Sequence, residues 1–495
     1  MKTLYQSLLF ALGAPALAGT AYAQVPSTND TSDQYGNTGM GAHALINVTP
    51  GTFPTGAANT ASGSDALLAN TTGYYNTASG YETLLNNTTG AENTASGGFA
   101  LYSNKTGGAN TASGYQALYS NTTGIDNTAS GVQALYSNTT GGNNSAFGIE
   151  ALFSNTTGGN NSAFGASALY FNMTGTNNTA SGYSALLANT IGNYNTASGA
   201  SALQSNTTGN DNTASGFEAL QSNTTGAANT ASGLSALLSN TTGNDNTASG
   251  VNALANNTAG NNNSASGFEA LFFNATGNNN TASGFEALYN NTTGSSNIAE
   301  GHKAGFKLTT GSNNIDIGNE GDAADGNTIR IGTAQTKTFI AGIHGVSVTG
   351  SAVMVASTGQ LGVVVSSERF KTAIAPMGSN SRKLQQLRPV TFRLKTDPKG
   401  ALQYGLLAEE VAKVYPDLVI RDQKGRIDGV RYDELAPMLL NEVQKRNVAQ
   451  AEKNATQDQH IAAQDAKISQ LMGQLAEMHA AILKMQGKDK LVANR

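Results

Sequence analysis

"NTASGYQALYSNTTGID", residues 110–126, recurs with small edits directly before and after itself, and its spacing decides the fold. From Asn59, an Asn opens each phrase every 17 residues through Asn76, Asn93 and Asn110 to Asn297 and Asn314, sixteen positions without a slip. Such uninterrupted register signals a solenoid, in which each repeat is one coil stacked on the next. The fifth position is Gly in all sixteen phrases, Gly63 to Gly318, and the fifteenth is Gly in every complete phrase, Gly73 to Gly311. Two glycines at fixed offsets mark two corners where the backbone needs positive φ or close approach. The ninth position is Leu fourteen times running, Leu67 to Leu288, and the third is Ala from Ala61 to Ala299. A heptad reading fails on the period and on the Gly content. Short strands remain, one around 60–62 and a second around 66–68, joined by Gly corners and an Asn-Thr-Thr-Gly turn. Coils stacked at about 4.8 Å would make a rod roughly 75 Å long.

One Leu and two Ala per coil is a thin core. At roughly 25 cal/mol per Å² of apolar surface, it stands against backbone ordering of about 1 to 2 kcal/mol per residue. The expectation is therefore that three chains wind about a common axis and pool their Leu columns. The phrase resembles the head repeats of trimeric bacterial adhesins and the fibre repeats of phage tailspikes, which differ from it in repeat length, so the resemblance implies a trimeric β-roll and not a particular coil. Asn-Thr-Thr and Asn-Thr-Ala triplets match a glycan acceptor, but turn residues forming side-chain ladders explain them better. Aligned Thr columns offer an alternative, a flat ice-binding or carbohydrate-binding face. Calcium binding needs periodic Asp, and Asp65, Asp126, Asp211 and Asp245 are sporadic.

Composition separates two halves. The chain has 58 Gly, no Trp, no Cys and only 12% charged residues. Between Asn59 and Asn297 stand ten acidic residues, one Lys (Lys105) and no Arg, so nothing there neutralises phosphates and a nucleic-acid partner is excluded. Every Arg lies at Arg330 or beyond. At the start, Lys2, an apolar run from Leu8 to Ala18 and the triplet Ala21, Tyr22, Ala23 before Gln24 read as a secretory signal peptide. With no Cys, this predicts an exported bacterial envelope or extracellular protein without disulfides. No later apolar run is long enough for a membrane helix. Asn37 to Leu45 is a worn copy of the phrase followed by a five-residue insertion, a cap for the rod's first coil. Downstream, 314–318 and 327–332 turn to β-branched residues at a shorter interval, and strand-like runs follow over 338–343 and 346–355, with a turn over 357–362.

Chemistry enters at "VVVSSERFKTAI", residues 363–374. Alone, a Ser five residues before a Lys reads as a strand entering a solvated helix start with Ser as its cap. Its company is "LRPVTFRLK" at 387–395, "YGLLAEEVAKVYPDLV" at 404–419 and "DGVRYDELAPMLLNEVQ" at 428–444, then heptads. In the third stretch, Leu406 to Val414 reads as a short helix stopped by Pro416. Together, over about residues 340–490, these motifs resemble the C-terminal intramolecular chaperone domain first described in endosialidase tailspikes, a self-cleaving serine peptidase domain. In that family the Ser of Ser-x-x-Arg-x-Lys is the nucleophile and the chain is cut just before it. Carried over, the resemblance implies that Ser366 attacks the carbonyl of Val365 with Lys371 as general base, a single-turnover Ser-Lys dyad. Many members carry Asp after that Ser where Ser367 stands here, which leaves a helping carboxylate unassigned between Glu368 and Glu410. Arg369 and Phe370 supply the cationic and apolar surroundings that a neutral Lys requires.

From Leu440 the chain falls into heptads with Leu440, Ile461, Ile468, Leu475 and Ile482 at a and Val443, Leu471, Met478 and Met485 at d, around a polar middle. This predicts a trimeric coiled coil whose buried amides set register. The five His are scattered, so neither a metal site nor a cofactor is implied. The repeat lacks the paired carboxylates of a glycosidase. The reading is mainly β: signal peptide 1–23, disordered linker 24–36, β-solenoid with its cap 37–318, β-rich neck 319–365, an α+β self-cleaving chaperone domain 366–435 and a coiled coil 436–488. It describes a secreted homotrimeric fibre or adhesin-like surface protein, with a glycan or other cell-surface ligand as a further partner. A phage-derived tail fibre is the remaining alternative, against which the signal peptide argues.

Overall fold

The computed structural model describes residues 33–49, 54–341, 352–356, 358–363, 365–422 and 424–492, with side chains to 486. The signal-peptide reading and residues 24–32 of the expected linker lie outside them. Two compact units result, Met1–Phe339 and Ile340–Arg495.

The first unit is the solenoid. Each coil contributes one three-residue strand, and eighteen such strands, from Thr38–Met40 to Ile329–Ile331, pair in parallel as one sheet. Register is Thr on Thr and Ala on Ala at the 17-residue offset, as in Thr196↔Thr213 and Ala197↔Ala214. The first pair, Thr38↔Thr60, is offset by the 17 residues plus the five-residue insertion. The last, Ile315↔Ile329, is shorter. Both ends therefore follow the sequence. In the strands from Thr60–Ser62 to Ile298–Glu300 the central Ala points inward and is buried, while the flanking Thr and Ser face water in most coils.

The expected second strand is absent. Residues 64–69 and their equivalents are consecutive turns, because the seventh and ninth positions have left-handed φ, +58° at Asp65 and +53° at Leu67, far from the negative φ of a strand. The backbone still serves the stack. Leu67 N–H donates to Thr83 O in the next coil (3.0 Å) and Ala69 N–H to Leu85 O (2.9 Å), while the residues between bond back within the coil, Leu68 N–H to Asp65 O (3.3 Å). A left-handed residue costs roughly 1–2 kcal/mol, and here each one turns the chain inward without removing its hydrogen bond to the neighbouring coil.

The core corrects the argument for three chains. Leu67, Leu84, Leu101 and their successors are fully buried inside a single chain, so they have no exposed column left to pool. What the thin-core estimate omitted is amide. Asn at the first and twelfth positions of nearly every coil is also fully buried. Asn76 Nδ2 donates to Asn59 Oδ1 (3.1 Å) and to Gly90 O (2.8 Å), and Asn76 N–H also donates to Asn59 Oδ1 (3.0 Å). At the twelfth position Asn87 Nδ2 donates to Asn70 Oδ1 (2.8 Å) and to Gly90 O (3.0 Å). Two satisfied amide ladders fill the interior beside the Leu column, and each bond is stronger for being shielded from water.

At its C-terminal end the pattern changes. Leu308 takes the twelfth position, so the ladder stops at Asn291, whose Oδ1 has no partner. Gly305 takes the Leu position and Asp316 the Ala position. Arg330 pairs with Asp316 in strand register, but its guanidinium is engaged by Asp325 at 2.5 and 2.7 Å, and Asp316 Oδ2 is buried without a partner. Burial, helped by the Asp325 charge and opposed by Arg330, pushes the Asp316 carboxyl up to about 6. A carboxyl raised above its unfolded value of 3.8 destabilises the fold once ionised. The penalty is absent below the unfolded value, grows between it and about 6, and is complete above. Asp316→Asn is therefore expected to stabilise the rod end by on the order of 2–3 kcal/mol at pH 7.5 and to converge with wild type below pH 4. Thermal unfolding of both chains across that range checks it.

Asp33 to Gly36, the last residues of the expected linker, bond to the first strand's approach: Asp33 accepts from Tyr35 N–H and Asn37 N–H and from Asn37 Nδ2, each at 2.9 Å.

The second unit is built from small pieces. Two short antiparallel pairs, Val390–Phe392 with Gln403–Gly405 and Val419–Arg421 with Ile427–Val430, accompany the helix Ala408–Val414. Val411, Leu418, Val419, Val430, Leu435 and Met438 form its buried core. Tyr432 opens a single helix that runs to Val492, with Pro437 near its start. Within this helix the heptad residues Ile461, Ile468, Leu475 and Ile482 are exposed in a single chain. Among the described residues of the strand-like run predicted over 338–343 and 346–355, Val353–Val355 is a strand, which pairs with Leu361–Val363. Residues 338–341 form no strand, and 342–351 lie outside the described residues.

Candidate functional site

Immediately after the strand Leu361–Val363, the chain reaches Val365 and Ser366, and Ser367 then leads into a 3-10 turn, Glu368–Phe370. Phe370 N–H donates to Ser367 O (3.0 Å) and Lys371 N–H to Glu368 O (2.9 Å). Ser367 makes no side-chain capping bond, so the turn rests on backbone bonds alone. Its effect is to fold the chain back on itself: Lys371 Nζ donates to Ser366 Oγ at 3.3 Å. The two residues that the Ser-x-x-Arg-x-Lys spacing singled out are thus within hydrogen-bond reach. A nucleophile and base in contact is the geometric requirement for general-base activation of a hydroxyl.

The surroundings are open. Val365, Ser366, Arg369, Phe370 and Lys371 are all exposed in a single chain. The Arg369 guanidinium lies over the Phe370 ring, 4.6 Å from its centroid, so the cation and the apolar group beside Lys371 are stacked on one another. Glu410, considered as a supporting carboxylate, is paired with Arg388 in the single chain. It lies in the first turn of Ala408–Val414 and accepts from both Nε and a terminal nitrogen of Arg388. That hydrogen bonding holds its carboxyl below the usual carboxylate range. Neither the Glu410 nor the Glu368 carboxylate bonds Ser366 or Lys371 among the described residues.

Four hydrogen bonds link distant segments of the unit, none of them assigned from sequence. Ser381, fully buried, donates to Glu442 Oε2 (2.9 Å) and accepts from Asn441 Nδ2 (2.6 Å). Tyr432 Oη accepts from Leu406 N–H (2.8 Å), and Tyr415 Oη donates to Asn380 O (2.9 Å). Tyr432 and Tyr415 lie in the quoted motifs, but partners 26 and 35 residues away leave no local pattern.

No helix among the described residues is long and apolar enough to cross a membrane. Among curated proteins and solved structures nothing matches the chain. One family does match, described as chaperone of endosialidase, over residues 366–420, so that the match begins at Ser366 itself. After its β-solenoid the chain therefore carries a segment similar to the chaperone-of-endosialidase family, a family of self-cleaving intramolecular chaperones.

Proposed function

We propose that this is an exported homotrimeric fibre whose C-terminal unit aligns three chains and then severs itself between Val365 and Ser366. The observation that carries the reading is the Lys371 Nζ to Ser366 Oγ contact at the residue where the family match starts. Ser366 Oγ bonds to the Val365 carbonyl carbon as its proton passes to Lys371. The C–N bond then breaks as that proton is delivered to the Ser366 nitrogen. Water hydrolyses the resulting ester, which leaves a Val365 carboxylate and a Ser366 hydroxyl. Because both groups sit in one chain, encounter entropy is largely prepaid.

A lysine serves as base only when neutral, and neutrality needs an apolar or cation-crowded setting. The pair is open to water in one chain, so its dehydration falls to the packing of further chains, and cleavage follows assembly. Assembly in turn answers a hazard of the rod. Identical coils can pair one repeat out of step at little penalty, and a trimer nucleated at the C-terminus fixes a common register first. The exposed heptad positions of the long helix are the surface that would do so. Export rests on the N-terminal signal reading, and a cell surface or the medium is the proposed location.

Wild type, Ser366→Ala and Lys371→Ala, expressed as full chains and run on denaturing gels, test the chemistry. Wild type is expected to release a C-terminal fragment whose first residue is Ser366, and both variants to stay whole. Cleavage persisting in Ser366→Ala removes the nucleophile and the proposal with it.

A further inference from the structure

We propose that the sixth position of the repeat is the face by which copies of this chain pack along their rods, an inference that rests on the self-association proposed above. From Tyr81 to Phe285, thirteen successive coils carry no polar residue at this position, while Ser64 and His302 stand at either end. Ten of the thirteen are large side chains, among them Tyr115, Ile149, Tyr183, Phe217 and Phe268, with 38–58% of their surface exposed. This is a different column from the core: the Ala and Leu at the eighth and ninth positions are fully buried in most coils.

Continuity is kept even where the sixth residue is Gly98. There Phe99, in the normally polar seventh position, lies between the rings above and below, 5.3 Å from Tyr81 and 5.9 Å from Tyr115. Beside the strip the tenth position adds rings stacked coil on coil, Tyr102, Tyr119, Tyr136, Phe153 and Tyr170, at 5.0–5.1 Å.

At about 4.8 Å per coil, thirteen coils make a strip roughly 60 Å long, and with a width on the order of 10 Å it covers several hundred Å². That reaches the upper end of what a monomer usually leaves bare and approaches the ~800 Å² per partner of a stable interface. The occupant must present apolar groups at the same rise over the same length. A second copy of this rod, parallel and in register, does so coil for coil, and the open seam of the C-terminal helix supplies a means of holding that register.

The chain has no Cys, so an introduced thiol reports one position alone. Ile149→Cys, in the strip, is compared in the full chain with Thr213→Cys, an exposed residue of the strand face. Each is oxidised and run on non-reducing gels, with sedimentation of the same samples before oxidation. The expected result is an oligomer in both, with disulfide-linked dimer dominant for Ile149→Cys and absent for Thr213→Cys. Oligomers that link through Thr213→Cys, through both equally or through neither overturn the assigned face while self-association stands. A monomer in sedimentation overturns the association reading itself.

Discussion

Gly97→Ala is expected to split the rod at that coil, whereas Gly98→Ala, one residue later, is expected to leave it intact. Gly97 is the fifth-position glycine of its coil, at φ +122°, and an added Cβ would lie 2.6 Å from Gly114 O and 2.7 Å from Gly114 C in the next coil. Both are backbone atoms and cannot swing aside. The only relief is separation of the two coils, which breaks Thr94 N–H to Asn110 O and Leu101 N–H to Ala117 O. Strain at such a φ alone costs about 1–3 kcal/mol, and with the clash a loss of roughly 4 kcal/mol or more places this substitution in the exceptional class. At Gly98 the nearest atom to an added Cβ is Tyr115 Cδ2 at 3.8 Å, an ordinary contact. Its cost should stay within about 0.5 kcal/mol. In a one-dimensional stack each coil is held only by its neighbours, so the damage should be local. Hydrogen exchange should show lost protection around 94–118 in Gly97→Ala alone. Equal behaviour of the two variants would contradict the stacking described.

The architecture was legible because a solenoid states its own period. The Asn spacing gave coil number and register, and the worn copy at 37–45 and the shortened interval at 314–327 gave the ends. A sequence signal also argues against the second strand. The seventh, ninth and seventeenth positions contain no Val, Ile or Thr in any coil from Asn59 to Lys303, and these are the positions with left-handed φ. A β-branched side chain is disfavoured there, whereas a true buried strand would welcome it. Leu fourteen times without one Val or Ile is a turn's signature. Counting Leu and Ala as the entire core leaves out the Asn columns: the sequence predicts their side-chain ladders, which the structure forms, but not that they lie in the interior. At the candidate site, Ser366 and Lys371 were legible because their meeting is local, one 3-10 turn in length. The Arg388 partner of Glu410 was not, lying 22 residues away with no periodic pattern to announce it.

The amide ladder yields the second large effect. Asn161 makes four hydrogen bonds through its side chain. Its Nδ2 donates to Asn144 Oδ1 (3.2 Å) and Gly175 O (2.9 Å), and its Oδ1 accepts from Asn178 N–H (3.0 Å) and Asn178 Nδ2 (3.2 Å). All of these residues' Asn side chains are fully buried. Asn161→Leu is close in size but satisfies none of the four. It strands the Asn178 N–H and leaves one partner each to Gly175 O (Asn172 Nδ2, 3.0 Å), Asn178 Nδ2 (Gly192 O, 2.8 Å) and Asn144 Oδ1 (the Asn161 backbone N–H, 3.1 Å). The stranded donor costs about 1–3 kcal/mol and each of the other lost bonds about 1 kcal/mol, so the expected loss is on the order of 4 kcal/mol, despite the gain in hydrophobicity. Asn161→Asp keeps the acceptor and loses both donors, and its charge has no neutralising partner, so it should fare no better at neutral pH. Asn160→Ala is the matched control: Asn160 has left-handed φ of +57°, and Ala109 occupies the same position of its coil at +55°. Urea unfolding of the three variants decides the matter. If Asn161→Leu matched or exceeded wild type, the interior would be held by its Leu and Ala after all, and the ladders would be a by-product of repetition instead of the bonds that let so little apolar surface close a coil.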